Sequence, residues 1–156
     1  MDPSKQHPNI VVQIIKEFEN IDVDLPRLKR LIRTVCDRFK LPKTTVSVAI
    51  VGDGQIRKLN KQFLNCNSTT DCLSFDLSDD DAKSFDLIVN AEMAVREANT
   101  RGHSAEAELA LYIAHGLLHN LGFDDSKKAQ AGKMHLTEDE ILQKLGYGLV
   151  YNNSCQ

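Results

Sequence analysis

The stretch from Ser104 to Asp125, SAEAELALYIAHGLLHNLGFDD, decides how this chain is read. Ser104 is a good N-cap, and Glu106 and Glu108 fall near the positive end of the helix it opens. From Leu109 to Leu121 apolar side chains leave little polar face, which predicts a central helix buried on nearly all sides. The remaining stripe holds Glu108, Tyr112, His115 and His119. The two histidines are four apart, so both imidazoles share one face, a turn apart. Gly122 follows and suits the left-handed conformation that ends a helix. The chain can then turn back and bring Asp124 or Asp125 toward the histidines. Two imidazoles and a carboxylate leave a metal ion one open position, which separates a catalytic zinc site from a structural one. Glu108 lies about 16 Å from His119 along the axis, too far to share that ion. A histidine pair of this spacing also occurs as a hydrogen-bonded core feature, but the glycine stop and the acidic pair favour metal. A zinc protease carries Glu after the first histidine as general base. Gly116 stands there, so the motif supplies ligands without a base.

Working outward, Ile10 to Ile15 is β-branched and reads as a strand. Leu25, Leu28, Leu31, Ile32, Val35 and Phe39 recur with helical period, giving an amphipathic helix over 25–40 with Pro26 in its first turn. Thr44 to Val51 alternates and marks a strand. Asp53 to Phe63 reads as a short helix capped by Asp53. A polar loop runs over 64–69, then strands over 72–77 and 85–90 are joined by an acidic loop. Ala91 to Thr100 is helical. A last helix covers about 127–145, with Thr137 and Glu140 in a capping-box pattern able to break it. The tail after Tyr147 is expected to be loose. This order predicts an α/β chain: a small mixed sheet packed with helices around the central buried helix.

At 156 residues the chain is long enough for one domain with a proper core, spanning 1–156. No run reaches the length of a membrane span, and Met1 to Pro8 lacks the apolar core of a signal peptide, so a cytoplasmic location is expected. Cys36, Cys66, Cys72 and Cys155 show no paired zinc spacing. Cys36 and Cys72 fall at apolar positions and read as buried free thiols. A net charge of −3 argues against a general nucleic-acid binder. The charge is uneven, with Arg27, Lys29, Arg30, Arg33, Arg38, Lys40 and Lys43 in one segment and Arg57, Lys58 and Lys61 in another. A charged helix face is most often merely solvated, yet a basic stripe can hold an RNA backbone.

The segment His115-Gly116-Leu117-Leu118-His119 through Asp125 resembles the signature of the YbeY family, His-Gly-x-Leu-His-x-x-Gly-Tyr-Asp-His. Asn60 to Phe63 with Thr70-Asp71-Cys72-Leu73-Ser74-Phe75 resembles a second family block. Phe85 to Val89 and the set Met134, Glu138, Ile141 and Leu142 resemble two more. The resemblance runs from about Ile10 to Tyr147. It implies a metal-dependent endoribonuclease acting on single-stranded RNA in small-subunit ribosomal RNA maturation and ribosome quality control. It also implies one metal ion per chain, most simply Zn²⁺ with another divalent transition metal as the alternative, on His115, His119 and Asp125, with His115 and His119 at the catalytic centre. RNA and ribosomal proteins are the implied partners, without a membrane.

Two departures qualify this. Asp125 stands where the family has its third histidine. Carboxylate oxygen binds Zn²⁺ well but adds negative charge, which makes the ion a weaker Lewis acid. Leu64 stands where the family has an arginine, and leucine cannot bind phosphate. Thr70, Asp71 and Ser74 read either as substrate contacts or as residues that pin strands near the cleft. The rival to an active nuclease is a ribosome-associated binding factor that keeps the fold and metal with little cleavage.

Overall fold

The computed structural model describes residues 9–124 and 126–148. Four strands form one sheet, β1 (Ile10–Lys16), β2 (Thr44–Val51), β3 (Cys72–Asp76) and β4 (Lys83–Asn90), in the order β1-β2-β4-β3. β1 pairs parallel with β2 from Ile10↔Thr44, and β2 parallel with β4 from Thr44↔Lys83. β3 runs antiparallel to β4, with Ser74 opposite Leu87. The helices are α1 (Leu25–Arg38), α2 (Asp53–Leu64), α3 (Ala91–Arg101), α4 (Ala105–Asn120) and α5 (Lys128–Lys144). The mixed α/β architecture expected from the element order is the one observed.

The alternation of β2 sends Val46, Val48 and Ile50 into the main core, where they meet Leu28, Leu31, Ile32 and Val35 of α1 and Leu109, Ile113 and Leu117 of α4. These side chains are almost fully buried. Burying a leucine or isoleucine fully is worth about 1.5–3 kcal/mol each, so the sandwich of sheet and α4 is the main apolar contribution to stability. On the other sheet face α2 seats Ile56 against Val51 and Leu73. Among the described residues, no helix is long and apolar enough to cross a membrane.

Several local expectations hold with identifiable causes. Ser104 accepts from Ala107 N at 3.0 Å and caps α4. Gly122 has φ +99°, the left-handed turn that ends the α4 segment. Cys36 is buried, which pushes its thiol up to about 11. Cys72, expected to be buried, is only half-buried, against α4 at Gly116, though desolvation still raises its thiol well above the ordinary range.

Others differ. Asp53 does not cap α2. Gly52 occupies the cap position, and Asp53 in the first turn accepts instead from Arg96 Nη1 at 2.5 Å and Asn90 Nδ2 at 2.8 Å. Those charge-assisted bonds hold the Asp53 carboxyl below its usual range. α5 is unbroken: Thr137 donates to Lys133 O at 2.8 Å, four residues back, and so stays inside the helix. β4 starts at Lys83, two residues early, because β2 gives it parallel partners that far. The basic segment around α1 is partly committed to structure. Arg27 donates to Leu145 O and stacks on Tyr147, Arg33 donates to Ile10 O, and Arg38 pairs with Glu140. The tail beyond Gly148 lies outside the described residues.

Candidate metal centre

α4 delivers both histidines to one place. His115 Nε2 and His119 Nε2 are 3.0 Å apart, with their rings edge to face at 84°. Two imidazole nitrogens at zinc-ligand distance and tetrahedral angle sit about 3.3 Å apart, so this pair is close to a ligand geometry. Glu138 of α5 crosses to α4 and is fully buried. Its Oε2 accepts from His115 Nδ1 at 2.6 Å. With Nδ1 protonated, the lone pair of a neutral His115 lies on Nε2, the atom that faces His119. A buried carboxylate behind a histidine is the usual support for a metal ligand. Glu138 Oε1 accepts from His135 Nδ1 at 2.9 Å, and the His135 ring lies nearly parallel to that of His115, 6.5 Å away.

Gly116, between the ligand candidates, has a packing cause. A Cβ there would meet Cys72 Sγ at 2.8 Å and Leu87 Cδ2 at 3.0 Å. Without a side chain α4 can lie close on β3 and β4, which sets the depth of His115.

The third expected ligand, Asp125, lies outside the described residues. Among the described residues no three His, Cys, Asp or Glu side chains close a metal site. Asp124 is engaged as a turn acceptor. Its Oδ1 accepts from Ser126 N at 3.0 Å and Ser126 Oγ at 2.6 Å, and those bonds hold its carboxyl below the ordinary range.

A cleft of about 410 Å³ opens beside His115, His135 and Glu138 and is walled by Thr70 and Asp71. Ser74 does not line it. It lies on the sheet face beneath α4, its Cβ 3.7 Å from where Gly116 would carry one. Thr70 and Asp71 are held by Asn90, which is fully buried at the end of β4. Asn90 Nδ2 donates to Thr70 O at 3.2 Å, and Asn90 N donates to Asp71 O at 2.9 Å. Its Oδ1 caps α3 by accepting from Met93 N. At the far end Glu108 is fully buried on α4 and accepts from Arg101 Nη1 at 2.6 Å and His103 Nε2 at 2.5 Å. Burial, then the Glu108 charge and hydrogen bond, raises the Tyr112 hydroxyl above its ordinary range. Leu64, at the end of α2, is 57% exposed and does not line the cleft.

The sequence pattern does not announce His135 or Arg101 as cleft residues, nor Asn90 as the buried residue behind its wall. For His135 a signal existed: it lies three residues before Glu138, one helical turn, on the last helix. Asn90 and Arg101 carry no comparable local signature.

Comparison with known proteins places the chain. A family model described as Endoribonuclease YbeY matches residues 13–146. A protein named Endoribonuclease YbeY from Macrococcus caseolyticus is 30% identical over 148 residues, covering 88% of this chain and 96% of the relative. One of the same name from Methylibium petroleiphilum is 37% identical over 127 residues, covering 81% and 84%. The solution structure of TM1509 from Thermotoga maritima shares the fold, with TM-score 0.61 and 23% identity over 94% of this chain and 96% of that one. With a family model matched over most of its length, and relatives at this identity, the chain belongs to the YbeY family.

Proposed function

We propose that this chain is a metal-dependent endoribonuclease that cleaves single-stranded RNA during small-subunit ribosomal RNA maturation and ribosome quality control, in the cytoplasm. The names of its relatives support an RNA-cleaving hydrolase. The observation that carries the metal dependence is the 3.0 Å approach of His115 Nε2 and His119 Nε2, with His115 Nδ1 tied to buried Glu138. His115, His119 and Asp125 would hold one Zn²⁺. Bound there, the ion supplies an acidified water and a Lewis acid toward a phosphoryl oxygen. Glu138 keeps His115 in the ligating tautomer. Gly116 keeps α4 seated so that His115 reaches the cleft, with His119 one turn beyond it. Asn90 fixes Thr70 and Asp71 as the opposite wall, where their polar groups meet the RNA.

The test is cleavage of labelled single-stranded and duplex RNA by purified protein, with zinc and with chelator. The reading expects cleavage of the single strand with zinc and none with chelator. Chelator-insensitive cleavage, or none with full metal loading, overturns it. Leu64 favours the second reading, a ribosome-associated factor that binds RNA or ribosomal proteins through the same fold with little cleavage. Full metal loading with RNA binding but no cleavage is its signature.

A further inference from the structure

We infer that Arg101 is the phosphate-holding cation of this cleft, taking a single-stranded RNA phosphate beside the scissile one. The inference rests on the nuclease reading above. A cleft that positions a phosphodiester gains most from a fixed cationic donor beside any metal, because a guanidinium offers paired, charge-assisted hydrogen bonds. Position 64 does not supply it: Leu64 is apolar and outside the cleft lining. Among the described residues lining the cleft, Arg101 is the sole lysine or arginine.

Its placement is built. Arg101 ends α3, and Gly102 at φ +78° turns the chain at once into the Ser104 cap of α4. Glu108, on the first turn of α4, then fixes the guanidinium at 2.6 Å, and Glu97 approaches Nη2 at 3.7 Å. Glu108 precedes His115 by two helical turns, about 10.5 Å along the axis. That offset suits a neighbouring phosphate rather than the reacting one.

The cleft also contains carboxylates, but two of them are shielded from solvent. Glu108 and Glu138 have side chains at 0% exposure, each covered by the donors it holds. The groups over them are partly exposed, Arg101 at 29%, His115 at 23% and His135 at 22%, with only His103 over Glu108 nearly covered. A strand entering the cleft therefore meets the guanidinium and imidazoles before those two carboxylates. Asp71 and Glu97 remain as acids of the wall. A guanidinium has five N–H donors, and two carboxylates do not exhaust them.

The test uses the full chain loaded with zinc and a fluorescein-labelled single-stranded RNA, with affinity read by anisotropy across a salt series. Arg101→Met alone would leave Glu108 buried without its cation, so it is combined with Glu108→Gln. The pair keeps net charge unchanged and leaves long-range attraction alone. The double variant is expected to bind about tenfold more weakly, with a salt slope smaller by about 0.7, the loss of one phosphate contact on a single strand. Should the double variant not fold, the Arg101 Nε–Hε resonance of the wild type is followed instead, assigned from Arg101→Lys. It is expected to shift on adding the same RNA. Wild type that binds RNA while the folded double variant binds equally well with the same slope, or an Arg101 resonance that does not move, overturns the assignment and leaves the nuclease reading standing. Wild type that takes up no single-stranded RNA overturns both.

Discussion

His115 of α4 and Glu138 of α5 are joined by a 2.6 Å hydrogen bond from Nδ1 to a carboxylate with no solvent exposure. The bond reaches across 23 residues of sequence and fixes which nitrogen of His115 is offered to a metal. Glu138→Gln weakens that support and puts an amide where a carboxylate accepts from two histidines. Zinc affinity should fall about 10- to 100-fold. Competition against a chelating dye measures it. Unchanged affinity in a folded variant would show that the bond serves packing alone.

Zinc supplied during purification should load about one ion per chain, a single four-coordinate site. His119→Ala and Asp125→Ala should lose most of it, while Asp125→His retains it. Asp124→Ala should retain it as well, because the Asp124 carboxylate is held by Ser126. Elemental analysis decides. Metal lost with Asp124→Ala but kept with Asp125→Ala would shift the ligand register by one residue.

Leu64 is exposed, so arginine there meets no burial penalty, and Leu64→Arg should melt close to wild type. One charge-assisted phosphate contact is worth roughly 1.5–3 kcal/mol. Position 64 lies outside the cleft lining, so the gain requires a strand that runs past the cleft: on a long single-stranded RNA, metal-dependent cleavage should rise by up to about 10- to 150-fold, with the gain shrinking at high salt. A stable, metal-loaded Leu64→Arg protein no more active than wild type would mean that position 64 does not limit the reaction.

Gly116→Ala puts a Cβ at 2.8 Å from Cys72 Sγ and 3.0 Å from Leu87 Cδ2. Alanine is the better helix former, but overpacking of this kind costs about 1–3 kcal/mol, so the clash should outweigh propensity. Urea unfolding should show a net loss, and zinc affinity should drop with it as α4 lifts from the sheet. A variant as stable as wild type would show that the helix can slide at no cost.

Asp53 contributes a pH-dependent increment. Its carboxyl is held below the usual range first by the Arg96 hydrogen bond, so it binds fewer protons folded than unfolded. The stabilisation is then present above the unfolded carboxyl pKa, about 3.9, and is lost as pH falls through the lower folded value. Asp53→Asn should be less stable than wild type at pH 7, by about 1 kcal/mol or less for so accessible a pair. The gap should narrow steadily below pH 4. A gap independent of pH would assign the effect to the Asn90 hydrogen bond and not to charge.

The helical spacing of His115 and His119, the buried character of α4, the left-handed stop at Gly122 and the alternation of β2 were all legible in the chain, because each depends on local periodicity of side chains about a backbone. The two histidines needed no partner to share a face. Asp53 and Thr137 were misread for the complementary reason: each has the chemistry of a cap, but Arg96 and Asn90 claim Asp53, and packing keeps α5 continuous through Thr137. That Glu138 reaches His115 on α4, that Asn90 fixes Thr70 and Asp71, and that Arg101 rests on Glu108 beside the cleft were decided only when the elements packed together. The depth at which α4 lies against β3 and β4, and with it the place of His115, depends on absent volume at Gly116 against Cys72 and Leu87, which no local repeat encodes.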